Sequence, residues 1–170
     1  MSTTSVSLPP VDEPRWLTPA EDRAWRGYRR MRTLLDLALA RDLAERTGLS
    51  EPDYDVLSTL SESPGGRLRL RDLAGHLLWS PSRLSHHVTR MQARDLVRRE
   101  DVADDGRGSE VVLTDGGWAA IRSAAPHHVA SVRAHLVDLL TDEEVEVLAA
   151  LSRRVVDHLA ETGAATSPPR

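Results

Sequence analysis

The stretch Ser80–Arg94, SPSRLSHHVTRMQAR, concentrates side chains suited to one kind of chemistry. Wound as a helix at about 100° per residue, it puts Leu84, Val88 and Met91 on one side. Ser82, His86, Thr89 and Arg90 then fall on the other, flanked by Arg83, with no large apolar residue among them. Small hydroxyls near a helix start can approach base edges in a major groove, and guanidiniums further along can meet phosphate. On that reading Ser82, Arg83, Ser85 and His86 approach the bases, Arg90 and Arg94 are placed for phosphate, and His87 and Thr89 complete the DNA-binding set. The helix N-terminus adds its own attraction for a phosphate. Arg107, in the Gly106-Arg107-Gly108 tip, is suited to a narrow minor groove. Asp105, two residues earlier, is placed to hold its side chain extended.

Other chemistry finds little support. The seven His include the pairs His86-His87 and His127-His128, but neighbours on a helix point about 100° apart and do not chelate one ion. His128 and His135 share a face yet lie two turns apart, about 10 Å. No nucleophile, metal or phosphate-loop constellation is present, so neither an enzyme nor a metal or other cofactor is expected.

The elements that must position this helix are legible around it. Leu70, Leu73, Ala74 and Leu77 mark a short helix before it, with Leu78-Trp79-Ser80 as the turn. Ser80 caps the second helix and Pro81 begins it. Arg67–Arg69 predicts a minimal strand. Leu96–Glu100 and Glu110–Leu113 predict two more around a polar tip, longer than a tight hairpin. Strand, helix, turn, capped helix and projecting hairpin make a winged helix-turn-helix. The polar face alone is more often a solvated face; the order of elements is what favours DNA.

Long helices flank this unit. The first runs from the Thr18 cap to Gly48, with Trp25, Tyr28, Met31, Leu35, Ala38, Leu39 and Leu43 at spacings of three and four. Leu34 and Leu37 widen the stripe beyond one face, which implies more than one neighbour. Ser50 caps a second helix carrying Tyr54, Leu57 and Leu60. Thr114 caps a long helix with the stripe Trp118, Ile121, Ala125, Val129, Val132, Leu136 and Leu139, and Pro126 inside it predicts a kink. Thr141-Asp142-Glu143-Glu144 reads as a capping box for a last helix.

The fold class is therefore mainly α with a small β-wing: a winged helix-turn-helix plus long helices forming a homodimerisation domain. The expected divisions are 1–17 as a flexible arm, 18–49 and 114–162 as dimerisation helices, 50–113 as the DNA-binding lobe and 163–170 as a disordered tail.

Charge bounds the partners. The chain carries 22 basic residues, all Arg, against 26 acids, for a net −4. Residues 65–113 hold 9 Arg against 7 acids and are the only net-positive segment. Arg suits bidentate phosphate and guanine contacts. The overall acidity keeps open an alternative, a winged-helix protein-interaction module without specific DNA binding. There is no Cys, and no apolar run approaches the roughly 20 residues of a membrane span. The opening MSTTSVSLPPVDEP has neither the basic nor the apolar region of a signal peptide, so a cytoplasmic location and no membrane partner are expected.

The chain resembles transcriptional regulators of the MarR (multiple antibiotic resistance regulator) family, in the actinobacterial style. The resemblance rests on Leu73-Ala74, Arg90-Met91, Leu96-Val97-x-Arg99, Asp105-Gly106-Arg107 and Leu113-Thr114-x-x-Gly117, in that order, and covers about residues 16–160. Asp95 departs from it, standing where the family usually has Gly; Asp tolerates a left-handed cap better than most residues. The resemblance implies a homodimer on double-stranded DNA with a palindromic operator, acting as a repressor. It also implies a small aromatic or phenolic effector between lobe and dimer helices, for which Trp16, Trp25, Tyr28, Arg29, His127 and His128 are candidates. For Trp25 and Tyr28 the competing reading is simple core packing.

Overall fold

A computed structural model describes residues 14–101 and 109–163. Six α-helices and a three-stranded sheet follow one another as α1 (Pro19–Thr47), α2 (Glu51–Ser61), β1 (Arg67–Arg69), α3 (Leu70–His76), α4 (Pro81–Gln92), β2 (Val97–Asp101), β3 (Ser109–Leu113), α5 (Asp115–His135) and α6 (Asp142–Glu161). Five of the six helix starts have a side-chain cap, the exception being α3, which follows directly on β1. Thr18, Ser50 and Thr141 form reciprocal capping boxes with Glu21, Asp53 and Glu144, and Ser80 and Thr114 accept from Arg83 N and Gly117 N. Such caps are each worth about 1 kcal/mol. Gly48 ends α1 in the left-handed region at φ 69°.

The sheet order is β1-β3-β2, antiparallel throughout, with Arg67 opposite Val112, Val97 opposite Leu113 and Asp101 opposite Ser109. Its inner face and α2, α3 and α4 close on Val56, Leu57, Leu60, Leu73, Leu84, Val88, Met91, Val97 and Val111, all fully buried. Each such side chain contributes roughly 1.5–3 kcal/mol of burial. Leu43, Leu49, Ile121 and Ala124 join the same core, so it crosses the expected boundaries at 49/50 and 113/114. The last turn of α1 and the first turns of α5 belong to the lobe's packing.

The expected left-handed cap is present: Asp95 sits at φ 55° between α4 and β2. Two close approaches follow from this tight exit. Thr114 Oγ1 donates to Asp95 O, and at Gly117 an added Cβ would lie within 2.0 Å of Leu96 O, so the helix start tolerates no side chain there. The Leu-Thr-x-x-Gly signature thus has a steric basis.

The fifth helix differs from its predicted stripe. It runs continuously through Pro126, but Leu136 at φ −140°, ψ −65° ends it, and Val137–Leu139 form a 3₁₀ turn. Leu139 is accordingly exposed rather than part of the packed stripe. Asp42 of α1 fixes α5 alongside: its Oδ2 accepts from Ser131 Oγ and lies within hydrogen-bond distance of His135 Nε2, both at 2.8 Å. The Ser131 hydroxyl, then His135, hold the Asp42 carboxyl below its ordinary pKa.

The lobe is saturated with contacts, whereas the outer helices are not. Trp25, Tyr28, Met31, Leu34 and Leu37 on α1 are exposed, as are Val145, Val147, Leu151, Val155, Val156 and Leu159 on α6. No residue of α6 is buried. Among the described residues, no helix is long and apolar enough to cross a membrane.

Candidate nucleic-acid interface

The interface is built on α4, which is seated by Leu84, Val88 and Met91 and shows the opposite face to solvent. Ser82, Arg83, His86, Thr89 and Arg90 are exposed and Ser85 is half-buried at the edge of that face. The turn before it is tight: Leu78 takes φ 53°, and Trp79 turns inward, where it is buried. The Arg83 guanidinium lies 4.1 Å over the Trp79 ring, which holds this side chain across the helix start.

His87 is a correction. Expected among the DNA-binding residues, it is 6 % exposed and points into the lobe. Its ring meets Trp79 edge-on at 5.5 Å between centroids. The physical reason is angular: one residue beyond His86, it falls beside Leu84 and Val88 on the buried side. Burial pushes its pKa down, only partly opposed by Asp53, so the imidazole is neutral near pH 7. Arg90 Nη2 lies 3.0 Å from His87 Nδ1 and, having only protons to offer, must donate to it. The remaining proton is therefore on Nε2, which stands 3.1 Å from Asp53 Oδ1 but outside hydrogen-bond alignment. His87 thus orients Arg90 from behind.

Arg94 is placed differently from its expected phosphate role. Its Nη1 donates to Asp53 Oδ2 at 2.7 Å and its Nη2 to Gly48 O at 3.4 Å, tying the end of α4 to the start of α2. Asp53 is 3 % exposed. Burial alone would raise its pKa, but the Arg94 and Ser50 hydrogen bonds outweigh it and hold the carboxylate ionised. One acid therefore caps α2, anchors α4 and faces His87.

Arg99 on β2 was not anticipated as a functional residue. Its Nη2 donates to Ser85 O at 2.7 Å, to Ser85 Oγ at 3.1 Å and, more weakly, to Thr89 Oγ1 at 3.4 Å. Thr89 Oγ1 also donates to Ser85 O at 3.0 Å. The only prior signal was its place in the Leu96-Val97-x-Arg99 strand pattern. Arg107 and Asp105 lie outside the described residues; β2 and β3 pair up to Asp101 and Ser109 on either side of them.

The six effector candidates divide into two groups. Trp25 and Tyr28 stack at 5.9 Å with Arg29 over the Trp25 ring, and Trp16 is 83 % exposed just before the helix. His128 instead packs on Tyr54 of α2 at 4.3 Å, while His127 is exposed. Because Asp42 meets Ser131 and His135, α1 and α5 run past each other with Trp25 roughly 25 Å along the axis from that junction. Within one chain these residues do not converge. Among the described residues no group of three or more His, Asp or Glu is arranged to hold a metal ion.

Comparison with known proteins agrees with this architecture. Residues 47–108 match the MarR family. AbsC, a MarR family transcriptional regulator from Streptomyces coelicolor, is 44 % identical, with a TM-score of 0.83 over 87 % of this chain and 99 % of that one. Sco3205, a MarR family regulator from the same organism solved in complex with DNA, is 42 % identical, with a TM-score of 0.83 over 87 % and 92 % of the two chains. The transcriptional regulator PecS of Dickeya dadantii is 28 % identical over 76 % of this chain and 78 % of its own. Members of this family are transcriptional regulators rather than enzymes, and with its fold, its α4 face and these relatives the chain belongs to the MarR family of DNA-binding transcriptional regulators.

Proposed function

We propose that the chain works as a homodimer that represses transcription by occupying a palindromic operator, with α4 of each copy in successive major grooves. The observation that carries the dimer is α6: 20 residues, a stripe of Val145, Leu148, Leu151, Val155 and Leu159, and no buried position. A lone chain would leave that stripe and the α1 stripe in water, more apolar surface than monomers usually expose. A second copy related by a two-fold axis covers both and sets the half-sites about 10–10.5 bp apart. In this reading 50–113 read DNA, and residues 18–49 and 114–162 pair the copies except where Leu43, Leu49, Ile121 and Ala124 pack into the lobe. Ser82, Arg83, Ser85, His86 and Thr89 face base edges, Arg90 and the sequence-placed Arg107 contact the backbone and minor groove, and Asp105 supports Arg107.

An aromatic or phenolic effector would release the operator by favouring a lobe spacing that does not match it. A coupling of about 1–3 kcal/mol lowers affinity roughly 5–150-fold. A mainly apolar recess of about 320 Å³ is lined by Met31, Leu34, Leu35 and Ala38 of α1 with His135 and Leu136, and it suits either the second copy or such a ligand.

The test joins assembly to binding. Leu151→Glu is expected to sediment as a monomer and to lose the footprint on DNA flanking its own gene, while Arg90→Ala stays dimeric and binds with a shallower salt dependence. A Leu151→Glu protein that remained dimeric, or an Arg90→Ala protein with wild-type affinity at every salt, would refute the respective half of the proposal.

A further inference from the structure

The hydrogen bonds around Arg99 fix which parts of Ser85 and Thr89 remain for DNA. A guanidinium only donates, so Ser85 Oγ at 3.1 Å must accept. A carbonyl only accepts, so the single proton of Thr89 Oγ1 is committed to Ser85 O. Arg99 Nη2 also lies 3.4 Å from Thr89 Oγ1, but its two protons serve Ser85 O and Ser85 Oγ at shorter range, so this third contact only shares one of them. The Thr89 proton is thereby engaged within the helix, while the Ser85 proton is free to turn outward. Thr89 is left with its γ-methyl and no free proton. Ser85 keeps its proton, and an oxygen already accepting from a cation is a stronger donor and a weaker acceptor.

Arg99 can hold this arrangement because it is itself fixed. Its side chain is half-buried between β2 and α4. The sheet pairing of Arg99 with Val111 sets the strand, and Ser85 and Thr89, one turn apart, meet a single nitrogen.

We infer that Arg99 is a specificity-positioning residue, which makes Ser85 a hydrogen-bond donor and Thr89 a methyl contact toward the DNA bases. The inference rests on α4 entering the major groove. Ser85 then selects an acceptor edge, a purine N7, guanine O6 or thymine O4, over the cytosine amino group, and Thr89 selects the thymine methyl.

The full-length protein is tested on the DNA site it selects from a random pool. Each thymine is replaced in turn by deoxyuridine, which lacks the methyl, and each purine by its 7-deaza analogue, which lacks N7. Wild type should lose affinity at one thymine per half-site by about three- to fourfold, the worth of one buried methyl-sized group. Thr89→Val, which keeps the methyl and drops the hydroxyl, should retain that ratio, and Thr89→Ser should abolish it; the ratio, not the absolute affinity, is read. Ser85→Ala should erase one acceptor-edge sensitivity, and Arg99→Met should weaken the same one without shifting the oligomeric state. The reverse pattern at Thr89 overturns the inference, as does a wild-type site with no sensitive thymine or an Arg99→Met protein with both sensitivities intact. A wild-type protein indifferent to every major-groove replacement would instead remove the placement of α4 on which the inference stands.

Discussion

Arg94 separates a strut from a phosphate contact. Its position near the end of α4 suits phosphate, yet its guanidinium is spent on Asp53 at 2.7 Å and Gly48 O. Replacing it with Met keeps most of the stem and removes the charge. Hydrogen bonds involving charged groups are worth about 1.5–3 kcal/mol. The Arg94 side chain is 45 % exposed, so solvent screening brings the expected loss down to about 1–2 kcal/mol. Asp53, at 4 % side-chain exposure, would keep Ser50 as partner but lose its counter-charge. Asp53→Ala removes the cap as well and should cost about 2–4 kcal/mol. The double variant should then cost less than the sum of the singles, by about 1 kcal/mol or more. Urea unfolding at one fixed protein concentration measures each value, since the proposed dimerisation would make stability concentration-dependent. DNA affinity across a salt series supplies the contrary readout. A phosphate contact contributes about 0.9 to the slope of log K against log salt, and a strut contributes nothing. An Arg94→Met protein with wild-type urea midpoint and a slope reduced by about 0.9 would refute the strut.

Other outcomes follow from the same geometry. Gly117→Ala should destabilise by about 2 kcal/mol or more, because its Cβ meets Leu96 O, whereas Gly75→Ala, with nothing within 4 Å, should stabilise by up to about 1 kcal/mol; equal urea midpoints for the two would contradict the close approach. His87 is depressed in the folded state, so below its unfolded pKa of about 6.5 the unfolded chain binds the extra proton and stability falls with pH, by at most about 1.4 kcal/mol per unit, until the folded value is reached. His87→Gln should flatten that slope between pH 7 and 5, and an unchanged slope would place the acid sensitivity elsewhere. Asp53, depressed from its ordinary range, contributes stability above about pH 4 that is lost only as pH falls through its lowered value.

Local rules read from the chain carried far. Ser50, Ser80, Thr114 and Thr141 are caps because each is a hydroxyl residue preceding an apolar period, with an acid three positions on at Ser50 and Thr141, and that is a statement about neighbours. Asp95 at φ 55° was legible for the same reason. The errors lie where partners are distant in sequence. His87 looked like a twin of His86, and only the angular position beside Leu84 and Val88, with Trp79 turned inward, puts it in the core. Arg94 looked free because its partner is 41 positions away. Arg99 reaches Ser85 across 14 positions, and a lone arginine on a strand carries no local mark of such a reach. The end of α5 at Leu136 was missed because a helical period in the sequence continues past the point where the backbone leaves the helix.

These long-range ties bear on where control can act. Asp53 holds α4 at its end through Arg94, and Arg99 holds its middle through Ser85 and Thr89. Leu84, Val88 and Met91 hold it from beneath. A helix fixed at three levels moves with its lobe rather than within it, since close-packed interiors shift between discrete arrangements rather than deform smoothly. The lobe in turn shares its core with Leu43 of α1 and Ile121 of α5, whose relative placement is set further along by Asp42, Ser131 and His135. In the proposed dimer, rotation of one copy's lobe against the other would therefore originate beyond that junction, in the outer half of α1, the 3₁₀ turn Val137–Leu139 and α6. Those are the segments whose apolar side chains lie exposed, so the same surfaces that would pair two copies would also set the distance between their α4 helices.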